Sequence, residues 1–150
     1  MEKNKLDNTK VIAEIANSHQ GSTSNAIKLA NKCIEAGASA IKFQVYSANE
    51  LLHSSHSRFK HFEKQSFNTS QWSNIFKKVN KKKEKIFCDV FGEESFKIAN
   101  NNKIDGFKIH SSDLINKNLI DLVSKTRNKE IFLSTGGSTL REISYAISIF

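Results

Sequence analysis

The run Ile41-Lys42-Phe43-Gln44-Val45-Tyr46 sets a narrow condition on the fold. It has the apolar, β-branched and aromatic character of a buried strand, yet it carries a lysine and a glutamine. Side chains alternate along a strand, so Ile41, Phe43 and Val45 face one way while Lys42, Gln44 and Tyr46 face the other. One face belongs under helices and the other belongs to a site. A strand of a closed (β/α)8 barrel meets both demands, because its outer face packs under helices and its inner face ends in the mouth where such barrels bind ligands.

The rest of the chain repeats this unit. Residues 11–16, Val-Ile-Ala-Glu-Ile-Ala, read as a first strand carrying one carboxylate, Glu14. After a loop, Thr23 or Ser24 is expected to cap a helix that runs to about Glu35 and stops at Gly37. Residues 47–70 read as a long polar connection holding His53, His56, Arg58 and His61 among phenylalanines, a length typical of lids and binding loops. A helix over about 71–80, with Trp72, Ile75, Phe76 and Val79 on one face, precedes a lysine-rich turn. Strands at 85–91, 104–110 and 130–135 each lead into a helix, at about 92–100, 116–125 and 139–150.

Strict alternation of strand and helix implies a parallel sheet with right-handed crossovers. A doubly wound sheet is one solution, but its strands are covered on both faces and seldom carry a charge in each of several strands. Here Glu14, Lys42, Gln44, Asp89, Lys108 and Ser134 gather toward the C-terminal ends of their strands, where a barrel places its site. A whole barrel takes about 250 residues, and this chain has 150. The expected fold is therefore α/β, a partial TIM barrel of the first five β/α units. It would span 11–150 behind a polar N-terminal tail of residues 1–10.

The formal charge of +8 raises nucleic acid as a partner. Much of the excess, however, sits in Lys77, Lys78, Lys81, Lys82, Lys83 and Lys85, a short run without interleaved aromatic or glycine residues. That pattern fits a solvated turn, so no nucleic-acid partner is expected. No apolar run approaches the roughly 20 residues of a membrane span, and the first ten residues lack the apolar core of a signal peptide. The expected location is cytoplasmic. Cys33 and Cys88 lack metal-site spacing and are expected to be reduced and buried.

Lys42 and Lys108, on the inner faces of two strands, put two positive charges at one mouth. Ammonium groups taken out of water need anionic partners, so a phosphate or carboxylate ligand follows. Ser111, Ser112, Ser134 and the Gly136-Gly137 turn add donors of the kind phosphates accept. A desolvated lysine acting as a Schiff-base nucleophile is the competing chemistry. Glu14, Asp89 and Asp113 end different strands, where a carboxylate could orient hydroxyls or transfer protons. For Asp113 the alternative is a helix cap.

Four ordered motifs carry a resemblance. They are Val-Ile-Ala-Glu-Ile-Ala-Asn-Ser-His-Gln-Gly over 11–21; Glu-Ala-Gly-Ala at 35–38 with Ile-Lys-Phe-Gln at 41–44; Phe-Lys-Ile at 107–109 with Ser-Ser-Asp-Leu at 111–114; and Leu-Ser-Thr-Gly-Gly at 133–137. Together they resemble the N-terminal barrel of the N-acetylneuraminate (sialic acid) synthases, a family that includes legionaminate and pseudaminate synthases and spore-coat polysaccharide relatives. The resemblance implies condensation of phosphoenolpyruvate with N-acetylmannosamine or a related amino sugar, forming a nine-carbon 2-keto acid and releasing phosphate.

By the same resemblance Lys42, Gln44 and Lys108 would bind phosphoenolpyruvate, with Ser111, Ser134 and Gly136 completing the pocket. Glu14 and Asp113 would contact the sugar and move protons, and Ser112, Asp89 and Phe91 fall in substrate-binding positions. The family uses a divalent metal, manganese or magnesium. Its histidine ligands lie on later strands and its antifreeze-like domain follows the barrel, so both are expected to be absent from this chain. His19 is not one of those ligands.

The chain departs from the family pattern in three places. The third-strand motif commonly reads Ser-Thr-Pro-Phe and here reads Cys88-Asp89-Val90-Phe91; Asp113 stands for a usual glutamate; and His110 replaces a small residue. A carboxylate on the phosphate side repels phosphate unless it is protonated or turned away. The alternative to a synthase is a non-catalytic half-barrel, a remnant or a subunit that associates with a second copy or a complementing chain.

Overall fold

The computed structural model describes residues 9–79 and 83–150, in which five strands form one sheet with the order β1-β2-β3-β4-β5, every neighbour parallel. The strands are β1 (Ile12–Glu14), β2 (Ala40–Val45), β3 (Lys85–Val90), β4 (Gly106–Ile109) and β5 (Glu130–Leu133). Spatial order follows chain order without the reversal that defines a doubly wound sheet. The sheet is thus the wall of a barrel-type α/β fold, five β/α units long.

Alternation along the strands separates two faces as the sequence requires. Ile41, Phe43, Val45, Ile86, Cys88, Val90, Phe107 and Ile109 are buried in one core with the helices. These are α1 (Thr23–Glu35), α4 (Thr69–Lys78), α5 (Glu93–Asn100), α6 (Lys117–Ser124) and α7 (Leu140–Ile147), with the short α2 (Ala48–Leu51) and α3 (Phe59–Gln65) between β2 and α4. Trp72 on α4 anchors the core, edge-on to Phe43 at 5.8 Å and to Phe67 at 5.2 Å, and stacked on Phe76 at 5.5 Å. Edge and offset arrangements of this kind set the negative ring face against positive ring edges.

Several boundaries differ from the sequence expectation, each for a local reason. Strand β1 stops early because Ala16 takes a left-handed φ of 42°, although Ile15 N still donates to Lys42 O at 2.9 Å. The cap of α1 is Ser22, whose side chain accepts from Asn25 N, rather than Thr23 or Ser24. Helix α4 starts two residues before the expected position because Asn68 and Gln71 form a reciprocal capping box. The connection at 47–70 is not a structureless loop, since it holds α2 and α3. Cys33 is half-buried rather than buried, while Cys88 is buried as expected, and both are free thiols. Residues 1–8 of the expected tail, and Asn80, Lys81 and Lys82 of the lysine-rich turn, lie outside the described residues.

At Gly106, in β4, a side chain has no room. A Cβ there would lie 2.1 Å from Glu130 O and 2.9 Å from the Phe87 ring. Its absence lets Phe87 and Phe132 meet across β4, with ring centroids 5.1 Å apart. That pair floors the inner face, and the polar side chains stand above it.

Candidate functional site

Register brings the inner-face polar residues together. Glu14 pairs with Lys42, Gln44 with Asp89, and Asp89 with Lys108 along the ladders. Same-face side chains on adjacent strands also meet on the diagonal. Lys42 Nζ donates to Glu14 Oε1 at 2.6 Å and to Asp89 Oδ2 at 2.7 Å. Lys108 Nζ donates to the same Asp89 oxygen at 3.4 Å.

The group has a buried centre and an open side. Asp89 has no solvent exposure and the Lys42 side chain 9%, against 24% for Lys108 and 42% for Glu14. Two ammonium groups therefore converge on one oxygen at the C-terminal ends of three neighbouring strands, and the half-exposed carboxylate of Glu14 stands at the entrance. Cys88, next in chain but facing the core, has its thiol pKa pushed up by burial and, second, by the Asp89 charge.

Above this centre lies a cavity of about 380 Å³ lined by Gln44, Leu51, Leu52, His56, Arg58, Phe62, Phe91 and His110. Phe91 is edge-on to Tyr46 at 6.3 Å, and the Tyr46 hydroxyl donates to Asn17 Oδ1 at 2.9 Å, which ties the first loop to the second strand. Burial drives the Tyr46 pKa up to about 12, with the Asn17 bond acting the other way.

The remaining predicted residues lie near the rim. Ser111 opens the turn after β4, and a Cβ on Gly136 would lie 3.8 Å from its hydroxyl, so the glycine turn and Ser111 are neighbours. Ser134 extends the ladder through its N–H, 3.0 Å from Ile109 O. Ser112 is occupied locally, its hydroxyl donating to Asp113 Oδ2 at 3.0 Å. Asp113 also accepts from Asn116 Nδ2 at 3.4 Å. It does not cap the following helix; Asn116 does, accepting from Leu119 N at 3.3 Å.

His19 of the first motif is buried, accepts from Gly21 N at 3.1 Å through Nδ1 and packs on Phe67 with ring centroids 4.6 Å apart. Burial lowers its pKa, which favours the neutral ring of a structural residue.

The sequence reading passed over Glu50. From α2 its carboxylate accepts from Glu94 N at 2.9 Å and Ser95 N at 3.2 Å, the free donors of α5, and so fastens the mouth connection to the start of that helix. The spacing Ser47-x-x-Glu50 is a capping-box signature and would have located α2.

The described residues do not fit a divalent metal. Among the described residues no group of three or more histidine, cysteine or acidic side chains is placed to hold one. Glu14 and Asp89 are both engaged by Lys42. Among the same residues no helix is long and apolar enough to cross a membrane.

The sequence model of the NeuB family matches residues 29–150. The chain belongs to the NeuB family. Among curated relatives, the N,N'-diacetyllegionaminic acid synthase of Campylobacter jejuni is 27% identical over 158 residues, a match covering 96% of this chain and 47% of the relative. An uncharacterised protein of Methanocaldococcus jannaschii is also 27% identical, over 94% of this chain and 42% of its own length.

Among solved structures, the N-acetylneuraminic acid synthetase of Leptospira borgpetersenii, crystallised with citrate, superposes with a TM-score of 0.85 at 26% identity, over 95% of this chain and 50% of that one. A spore coat polysaccharide biosynthesis protein of Chromobacterium violaceum shares the fold at a TM-score of 0.78 and 23% identity, over 92% of this chain and 44% of that one. This NeuB-family chain thus spans about half the length of the relatives it matches. The family resemblance seen in the four motifs and the barrel-type sheet are both confirmed.

Proposed function

We propose that the inner-face site binds phosphoenolpyruvate and serves its condensation with an N-acetylated amino sugar, N-acetylmannosamine or a related one, to give a sialic-acid-type nine-carbon 2-keto acid. The carrying observation is the convergence of Lys42 and Lys108 on a single point, 2.7 Å and 3.4 Å from Asp89 Oδ2. Two fixed cations at a strand-end mouth are what a small polyanion requires. Membership of the NeuB family, with a legionaminic acid synthase among the relatives, supports the reaction class.

In this reading the two lysines offset the phosphate and carboxylate charge. Ser111, Ser134 and the backbone at Gly136 donate to phosphate oxygens. Gln44, which lines the mouth cavity with Phe91, adds its amide to the phosphoenolpyruvate contacts of the two lysines. Glu14, half-exposed and hydrogen-bonded to Lys42, holds or moves a proton at the sugar, as does Asp113 from the rim. The manganese or magnesium ion implied for such a reaction would take its ligands from outside the described residues. Calorimetric titration of phosphoenolpyruvate tests the reading: binding is expected in the unaltered chain and lost in Lys42→Ala and Lys108→Ala. Affinity indifferent to both lysines would remove it.

A second reading, a half-barrel completed by a second copy or a complementing chain, is favoured by apolar side chains exposed beside the first strand and on the last helix. Val11 is 55% exposed beside β1, and Leu140 on α7 is 83% exposed. Surfaces of this kind favour association. Sedimentation that gives a monomer at all concentrations would count against it.

A further inference from the structure

We propose that Asp89 is a built-in anion that occupies the phosphate cradle and sets the selectivity of the site against multiply charged ligands. The inference rests on the reading that Lys42 and Lys108 form the anion site. An oxygen able to bridge both ammonium groups must lie within hydrogen-bond reach of each, and Asp89 Oδ2 already does so, at 2.7 Å and 3.4 Å.

Charge balance points the same way. Lys42 and Lys108 face Glu14 and Asp89, two cations against two carboxylates, so the assembled centre is neutral before any ligand arrives. Replacing Asp89 by a neutral side chain would leave one net positive charge.

The second oxygen makes the argument specific. Asp89 Oδ1 is buried and has no hydrogen-bond partner among the described residues. A carboxylate held for purely structural reasons at a buried site normally has both oxygens satisfied. This one is oriented by the lysines alone, in the position a phosphate oxygen would take. A phosphorylated ligand must therefore displace Asp89 from the lysines or bind beside a like charge. A monoanion meets less of this opposition, because repulsion scales with the ligand's charge.

The test uses the chain with phosphoenolpyruvate, inorganic phosphate and pyruvate as probes, comparing the unaltered protein with D89N and D89S. Both variants are expected to bind phosphoenolpyruvate and phosphate about tenfold tighter or better, with pyruvate changed by less. Adding Lys108→Ala to D89N should abolish the gain. Variants that bind phosphoenolpyruvate no tighter than the unaltered chain would overturn the proposal. If the unaltered chain binds through its lysines in that case, the lysine site stands and only the role of Asp89 falls; if none of the proteins binds, both fall.

Should neither variant fold, the unaltered chain still decides. The proposal expects it to show little preference for phosphoenolpyruvate over pyruvate, and a preference of about tenfold or more would overturn it.

Discussion

Lys42 Nζ lies 2.7 Å from Asp89 Oδ2, both side chains nearly or wholly without solvent, on neighbouring strands of one sheet. Buried pairs of this kind are weak evidence of net stability, because desolvation offsets much of the attraction, but removing one partner strands the other. Lys42→Met should therefore destabilise the chain by about 3 kcal/mol, with Lys108 left as a poorer partner for Asp89. The double variant Lys42→Met with Asp89→Asn should recover at least about 1 kcal/mol of that loss. Urea unfolding of the four proteins in the cycle measures the coupling, and additive effects would show that the two side chains do not act as a pair.

The mouth is tied down by a residue outside the lysine cluster. Glu50 accepts from the backbone of Glu94 and Ser95 at the start of α5, and a Cβ on Gly92 would lie 2.4 Å from its Oε1. Glu50→Ala should cost about 1 kcal/mol, the usual loss for an N-terminal helix partner. Gly92→Ala should cost a similar amount by pushing the carboxylate aside, and little more once Glu50 is already alanine. Thermal melts of the single and double variants read this non-additivity; equal and independent losses would mean that the two residues do not share one contact.

Gly106 sits where backbone, not a flexible side chain, blocks any substituent. Gly106→Ala would force its Cβ against Glu130 O and into the Phe87 ring, so β4 and β5 must separate. A cost of about 3 kcal/mol, at the upper end for overpacking, is expected in urea unfolding. A change under about 0.5 kcal/mol, as at an ordinary surface position, would show that the sheet yields freely there.

Much of this arrangement was legible from the residue pattern because strands of a parallel sheet have only two faces. Once Ile41, Phe43 and Val45 are assigned to the core, Lys42 and Gln44 must face inward, and the same logic places Lys108 between Phe107 and Ile109. What periodicity could not supply is which carboxylate meets which lysine. Asp89 lies opposite Gln44 in register and reaches Lys42 on the diagonal, a consequence of stagger between strands that no single segment records.

Short elements were hidden for a different reason. Helix α2 has 4 residues, about one turn, too few to show a 3.6-residue repeat. Where hydroxyls follow one another, as at Ser22, Thr23 and Ser24, residue type alone does not choose the cap. Asn116 took the cap from Asp113 because the chain makes a 3-10 turn at Ser111–Asp113 before α6 begins.

His19 couples the first loop to acidity. Its pKa is lowered by burial, so below the ordinary value of about 6.5 the unfolded chain takes up a proton that the folded chain refuses. Stability from this residue is therefore complete above about pH 6.5 and declines as the pH falls toward the lowered native value, by up to about 1.4 kcal/mol per unit. His19→Asn keeps an acceptor for Gly21 N but cannot titrate, so it should flatten this part of the profile even if it lowers stability at every pH. Urea unfolding at pH 7.5, 6.5 and 5.5 makes the comparison. Identical pH slopes in the two proteins would show that the imidazole carries its proton as readily in the fold as out of it.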